Sequence, residues 1–265
     1  MTERSEQQIA EWAERQLADY DVRNPGSLFA EGLTLSVQEG YALQTAVTAL
    51  RIARGERVVG YKVGCTSPTI RRQLGIDHCV SGRLFASEQH SDQVTLSREQ
   101  FANPAIEGEL AIELLRTPNA ADFETGTIPP CVARVFPVIE LHHRVFRGSE
   151  PSAGELIAHN AINGGFVAGP GMRPEHVEPT EFSEAALRIF IGGVLVDAYS
   201  GPALVETIRT SLSWLDGVVH ERGDELIPGQ IILTGSIPGL HSITEPCDIH
   251  VDASLFGSVQ MTFSS

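Results

Sequence analysis

The chain has 265 residues, 42% hydrophobic and 20% charged, which is long enough to bury a sizeable core and unlike the composition of a disordered segment. Its 34 acidic against 19 basic residues give a formal net charge of −15, a field that repels phosphate backbones and anionic membranes and so excludes nucleic acid and membrane surfaces as partners. Four cysteines (Cys65, Cys79, Cys131, Cys247) without CxxC spacing fit reduced thiols, and neither a signal-peptide core in MTERSEQQIAEWAERQ nor an apolar run near ~20 residues is present; a cytoplasmic protein is expected.

In chain order, Ile9, Trp12 and Leu17 fall at roughly helical spacing over 5–19, and Ser36 with Glu39 three residues later is a capping-box pattern opening a helix that runs to about Gly55. VVGYKVGC reads as a short strand. TSPTIRRQLG follows, with Ser67 as cap, Pro68 at the first helical position and Gly75 as stop. NPAIEGELAIEL (103–114) and PVIEL (137–141) read as strands, SAGELIAHNAIN (152–163) as a helix, and GFVAG as a strand. In ALRIFIGGVLVDA, Gly192-Gly193 can take the positive φ angles of a two-residue hairpin turn. A helix from about Ala203 to Arg222 leads into IILTGS, and CDIHVDASLFGSVQMTF reads as a closing pair of strands. These elements predict one α+β domain over 1–265, with a small helical N-terminal part (1–56) and a core (57–265).

Glu107 and Glu109 project from the same side of their strand, about 7 Å apart at the backbone, with Leu110, Ile112 and Leu114 on the other face. One reading is an edge strand showing acids to water. The other is a divalent-metal site, because like charges forced together become favourable with a cation between them. Glu140 in PVIEL supplies a third carboxylate, and three hard oxygen donors suit Mg²⁺ or Mn²⁺ rather than zinc. Lys62 lies in an apolar strand, either snorkelling its ammonium to solvent or placed there for a purpose.

GYKVGCTSPTIRRQLGI, the acid pair in AIEGELAIEL, PVIEL, HNAINGGFVAG and PGQIILTGSIPG occur in an order that resembles the 2-oxopent-4-enoate hydratase and 4-oxalocrotonate decarboxylase family of the fumarylacetoacetate hydrolase superfamily. The resemblance runs from about residue 30 to the terminal MTFSS. It implies a fumarylacetoacetate-hydrolase-like mixed β-sheet roll or barrel flanked by helices, and Mg²⁺ or Mn²⁺ held by Glu107, Glu109 and Glu140. It implies Lys62 as a catalytic cation, Thr234 and Gly235 as substrate-binding residues in a loop otherwise readable as a plain strand end, and a homo-oligomer. The substrate it implies is a small unsaturated 2-oxo or 2-hydroxy carboxylic acid met in the degradation of aromatic compounds.

The chain departs from that pattern in places. Val80 stands where hydratases often carry an aspartate that assists proton transfer. AHNAI replaces a segment usually resembling ADNAS, putting His159 in place of an acid and Ile162 where a small or hydroxylated residue is frequent; the stretch LHHRVF after Glu140 is also short. His159 is a candidate general acid or base, or else a packed structural histidine. His142 and His143 follow the third carboxylate, and alternation puts His142 on the face of Glu140. The leading expectation is a metal-dependent hydratase, a carbon–oxygen lyase. The alternatives are decarboxylation of a 4-oxalocrotonate-like 2-oxo diacid, hydrolysis of an acylpyruvate, or a non-catalytic partner subunit.

Overall fold

The computed structural model describes residues 4–24, 26–124, 126–145, 151–176, 180–237 and 239–265, the side chains of residues 176, 182 and 183 excepted. Phe146 of LHHRVF and Pro238 of SIPG therefore lie outside the described residues. Two of the three N-terminal helices start where side-chain oxygens can cap them. Ser5 caps α1 (Glu6–Asp21), α2 is the single turn Ser27–Ala30, and Ser36 with Glu39 forms the full capping box of α3 (Val37–Ala53). Strand β1 (Val58–Gly64) follows. Helix α4 (Pro68–Leu74) has Ser67 as cap, Pro68 at its start and Gly75 in the left-handed conformation at its end.

Next come β2 (Val80–Phe85), β3 (Gln89–Ser91), β4 (Val94–Ser97), β5 (Ala105–Leu114) and β6 (Val132–His142). Helix α5 (Ala153–Ala158) is shorter than the expected 152–163. After it, Asn160, Ala161 and Ile162 all adopt positive φ, and the chain passes into β7 (Asn163–Ala168). The reason is tertiary. The Asn160 amide accepts from Arg83 N–H and donates to Arg83 C=O, which ties a left-handed turn to β2 instead of letting the helix continue. The hairpin β8 (Ala186–Ile191) to β9 (Val194–Ser200) turns at Gly192 (φ 56°) and Gly193 (φ 76°), as its sequence predicts. The rest is α6 (Ala203–Glu221), β10 (Ile231–Leu233), β11 (His241–Ser242), β12 (Cys247–Asp252) and β13 (Ser258–Ser264).

Among the described residues the strands form two mixed sheets. The larger runs β2-β1-β10-β5-β6-β7-β3 with β11 added to β5, and the smaller runs β4-β13-β12-β8-β9. The main core lies between one face of the large sheet, the small sheet and the stripe Leu204, Ile208, Leu212, Leu215, Val219 of α6. Gly108 lets the sheets approach: a Cβ there would come within 2.7 Å of Ile189 Cδ1 and 3.1 Å of Val251 Cγ2. The opposite face of the large sheet carries a smaller apolar cluster, including Ala111, Phe136, Val138, Phe166 and Leu233, together with the charged residues described below. No helix among the described residues is long and apolar enough to cross a membrane.

The helical layer is fastened to the sheet by polar groups as well as packing. Gln44 of α3 donates to Ser81 C=O and Ile157 C=O, both at 2.9 Å. Arg51, almost fully buried, stacks on the Phe85 ring at 3.6 Å and pairs with Glu56 (2.5 Å) and Glu88 (2.6 Å). Burial works against the ionised Glu56, but hydrogen bonds from Arg51 and Ser87 outweigh it and hold that carboxyl at about 2. Its folded value lies below the ordinary 4.5, so its stabilising contribution is complete above pH ~4.5 and is lost as pH falls toward 2. Glu56→Gln should lower the unfolding free energy by about 2 kcal/mol at pH 7. Urea unfolding at pH 7 and pH 3 measures this: the gap between variant and parent should narrow at the lower pH, and an equal gap at both would refute the pairing.

Candidate metal centre

Register alone brings four charged residues to one face. Lys62 of β1 lies opposite Leu233 of β10, Leu233 opposite Ala111 of β5, and Glu107 of β5 opposite Glu140 of β6. Residues paired across strands point the same way and alternate along each strand, so Lys62, Glu107, Glu109 and Glu140 all project from the face that does not meet the small sheet. The acids therefore sit on a central strand pair, and the edge-strand reading does not apply.

These side chains are deeply set. Relative exposure is 0% for Glu140, 1% for Glu109 and 4% for Lys62, whereas the Glu107 side chain is 19% exposed and marks the open side. Lys62 Nζ lies 3.0 Å from Glu140 Oε1 and donates to Ala161 C=O at 3.3 Å. Asn163 Nδ2 also donates to Glu140 Oε1, at 2.8 Å. Glu109 Oε2 accepts the Gly235 N–H, while Glu109 Oε1 and Glu140 Oε2 have no hydrogen-bond partner. His142 Nε2 stands 3.2 Å from Glu107 Oε2 and 3.9 Å from Glu140 Oε2.

The electrostatics follow from this crowding. Burial disfavours the charged form of Lys62, but Glu140, Glu107 and Glu109 more than compensate and raise its affinity for its proton. Glu109 is pushed well above the usual carboxylate range by burial and by Glu140 beside it. Glu107, despite burial, is held at about 2 by His142, Lys62 and the more distant His241. With Glu109 holding its proton, the other two carboxylates still outnumber the one ammonium, and a hard divalent cation would draw Glu109 into its ionised form as a third oxygen donor.

The structure thus brings Lys62, Glu107, Glu109 and Glu140 together. Gly235 reaches them through its backbone N–H on Glu109. The Thr234 hydroxyl is instead used inside the fold, donating to Leu110 C=O at 2.7 Å. His159 is not brought to the cluster: its ring packs on Phe29 (centroids 5.2 Å) under the helical layer, and the charges acting on it are Asp19 and His143. Sequence reasoning missed Asn163 and the Ala161 carbonyl. The expected helix over 152–163 hid them, since only the turn at 160–162 delivers both. It also missed His241, which β11 sets beside Ile106 on β5.

No family model matches the chain. It is 28% identical over 224 residues to the 2-keto-4-pentenoate hydratase of Burkholderia vietnamiensis (strain G4 / LMG 22486), covering 84% of this chain and 85% of that protein. It is 25% identical over 230 residues to a 4-oxalocrotonate decarboxylase of Pseudomonas sp, covering 86% and 87%. The chain is similar to these hydratases and decarboxylases over most of its length. Its fold is that of the 4-oxalocrotonate decarboxylase from Pseudomonas putida G7 solved with magnesium and adipate, at TM-score 0.87, 20% identity and full coverage of both chains.

Val80 lies on β2 near the lysine strand. It stands opposite Gly64, two residues along the ladder from the Lys62–Gly82 pair, and packs on Ile157 and Ala161. Burial holds both His143 and His159 at about 4, below the ordinary 6.5. The unfolded chain therefore takes up these protons first, and the stability the neutral rings contribute above pH 6.5 is lost as pH falls toward 4. His159→Gln should make unfolding free energy less dependent on pH by about 2 kcal/mol between pH 7 and 5. Identical pH slopes in chemical denaturation of parent and variant would show that the ring titrates normally.

Proposed function

We propose that this protein is a divalent-metal-dependent hydratase that adds water to a short 2-hydroxy-dienoate or 2-oxo-alkenoate of the kind formed when aromatic rings are degraded. The observation that carries the reading is the convergence of Glu107, Glu109 and Glu140 with Lys62 on one buried face. Glu107, Glu109 and Glu140 would hold Mg²⁺ or Mn²⁺, and the two buried oxygens without hydrogen-bond partners, on Glu109 and Glu140, fit that role. When bound, such an ion supplies Lewis acidity toward the carboxylate and 2-oxo oxygens of the substrate.

The chain's own residues do the rest. Asn163 and Lys62 fix Glu140 through Oε1, and the Gly235 amide fixes Glu109, so both carboxylates are oriented before substrate arrives. Lys62 keeps its proton because three glutamates surround it. It offers a fixed positive charge to an enolate forming beside it, and the burial of the group excludes competing water. Glu107 lies at the open side, from which substrate and the added water enter.

A second reading, decarboxylation of a related 2-oxo diacid, is favoured by Val80. Loss of CO₂ needs the same electron sink but no side chain to activate water, and the apolar Val80 occupies the ladder position two residues from the Lys62–Gly82 pair, where an aspartate would serve hydration. Cytoplasmic residence and a homo-oligomer belong to this reading too, and the exposed Val194, Leu195 and Val196 of the edge strand β9 offer an apolar contact surface.

Incubation with Mg²⁺ and 2-hydroxypentadienoate should consume the dienol absorbance and yield a hydroxylated product, and chelation should abolish the reaction. CO₂ release from 4-oxalocrotonate without hydration would select the second reading, and turnover of neither would remove both. Glu140→Gln and Lys62→Met should each lower kcat by about 100-fold or more; full activity in Lys62→Met would exclude the lysine from the chemistry.

A further inference from the structure

The carboxylate face holds one more side chain able to bind a metal. His142 follows Glu140 by two positions on β6 and pairs across the ladder with Ala105, so it shares the face of Glu107 and Glu140. It is 1% exposed. A buried imidazole beside carboxylates would ordinarily be held by an aligned hydrogen bond. Here Nε2 stands 3.2 Å from Glu107 Oε2 and 3.9 Å from Glu140 Oε2, yet neither ring nitrogen has a hydrogen-bond partner. The nitrogen and the two oxygens are close without being directed at one another. One donor atom each from Glu107, Glu140 and His142 lies within 4.8 Å of the others.

That spacing is what one ion requires. Donors bound at roughly 2.1 Å around an octahedral ion are about 3 Å apart when adjacent and about 4.2 Å apart when opposite. Leaving a buried polar atom unpaired is costly, and ligation removes that cost for Nε2. We propose that His142 is a protein ligand of the metal through Nε2, giving a mixed nitrogen and oxygen site. The inference rests on the metal centre of Proposed function. Its consequence is selectivity: imidazole adds affinity for borderline ions such as Mn²⁺ and Co²⁺ and little for Mg²⁺, so the site prefers Mn²⁺ to Mg²⁺.

The test uses Mn²⁺ as probe on the full chain, without substrate. Pulsed EPR of the Mn²⁺-loaded protein should show coupling to a directly bonded ¹⁴N, and His142→Gln should lose that coupling while still binding the ion. Calorimetry should show His142→Gln weakening Mn²⁺ by about 10- to 100-fold, a loss at least as large as removing a group that merely supports a ligand, and weakening Mg²⁺ much less. Glu140→Gln separates the two levels. If it abolishes Mn²⁺ binding while the parent shows no ¹⁴N coupling, the carboxylate site stands and the ligand role of His142 is overturned. A Mn²⁺-to-Mg²⁺ preference unchanged in His142→Gln overturns it as well. If the parent binds no Mn²⁺, or Glu140→Gln binds it as tightly as the parent, the metal centre itself fails. The EPR signal of the parent decides the matter even if His142→Gln does not fold.

Discussion

The fold is organised around a costly constraint, the burial of three carboxylates and one ammonium on the inner strands of a sheet. Each isolated ion removed from water costs several kcal/mol, and mutual attraction offsets this only where geometry and hydrogen bonds are good. The chain meets that condition for Glu140, which receives both Lys62 and Asn163 on one oxygen, and only partly for Glu109, whose second oxygen finds nothing. Such an arrangement is not an economical way to stabilise a domain, because apolar residues of similar volume would do better. Its persistence at the centre of the sheet is best understood as the cost of a site, with stability supplied by the separate core between the two sheets and α6.

That division of labour runs through single residues of β5. In Ile-Glu-Gly-Glu-Leu the glutamates face the charged side, and the isoleucine and leucine face the main core. Gly108 is small because Ile189 and Val251 press on its position from the small sheet. One strand thus couples the two functions at a spacing of two residues. A register slip of one residue against β6 would put charges into the core and leucines into the site, so the ladder is strongly specified.

Much of this was legible beforehand, and the reasons differ by element. The capping box at Ser36, the Ser67-Pro68 start with the Gly75 stop, and the Gly192-Gly193 turn are local devices whose chemistry is complete within four to eight residues, and the structure contains each. Period-two alternation was enough to place Glu107 and Glu109 on one face. The end of α5 was not legible, because what stops it at Ala158 is a pair of hydrogen bonds from Asn160 to Arg83 on a strand 77 residues earlier. For the same reason His159, which reads as a candidate acid or base from its place in HNAIN, packs instead beneath the N-terminal helices.

The turn after α5 also sets the surroundings of the lysine. Gly82 lies opposite Lys62 on β2, and a Cβ there would come within 2.5 Å of Asn160 C=O, so its absence lets the turn settle over the lysine. The turn then presents the Ala161 carbonyl to the ammonium and the Ala161 methyl to Val80 and Ile157. On this side the ammonium donates to the Ala161 carbonyl and pairs with Glu140, and the Cys65 thiol, kept protonated by burial, packs against Val80, Ile157 and Ala161 nearby. Glu107 is the most exposed member of the cluster, and His241, 3.7 Å from Asp197, acts on it electrostatically. Val80 thus contributes apolar packing with Ile157 and Ala161 next to the turn, while Glu107, at 19% side-chain exposure, is the most open of the four charged groups.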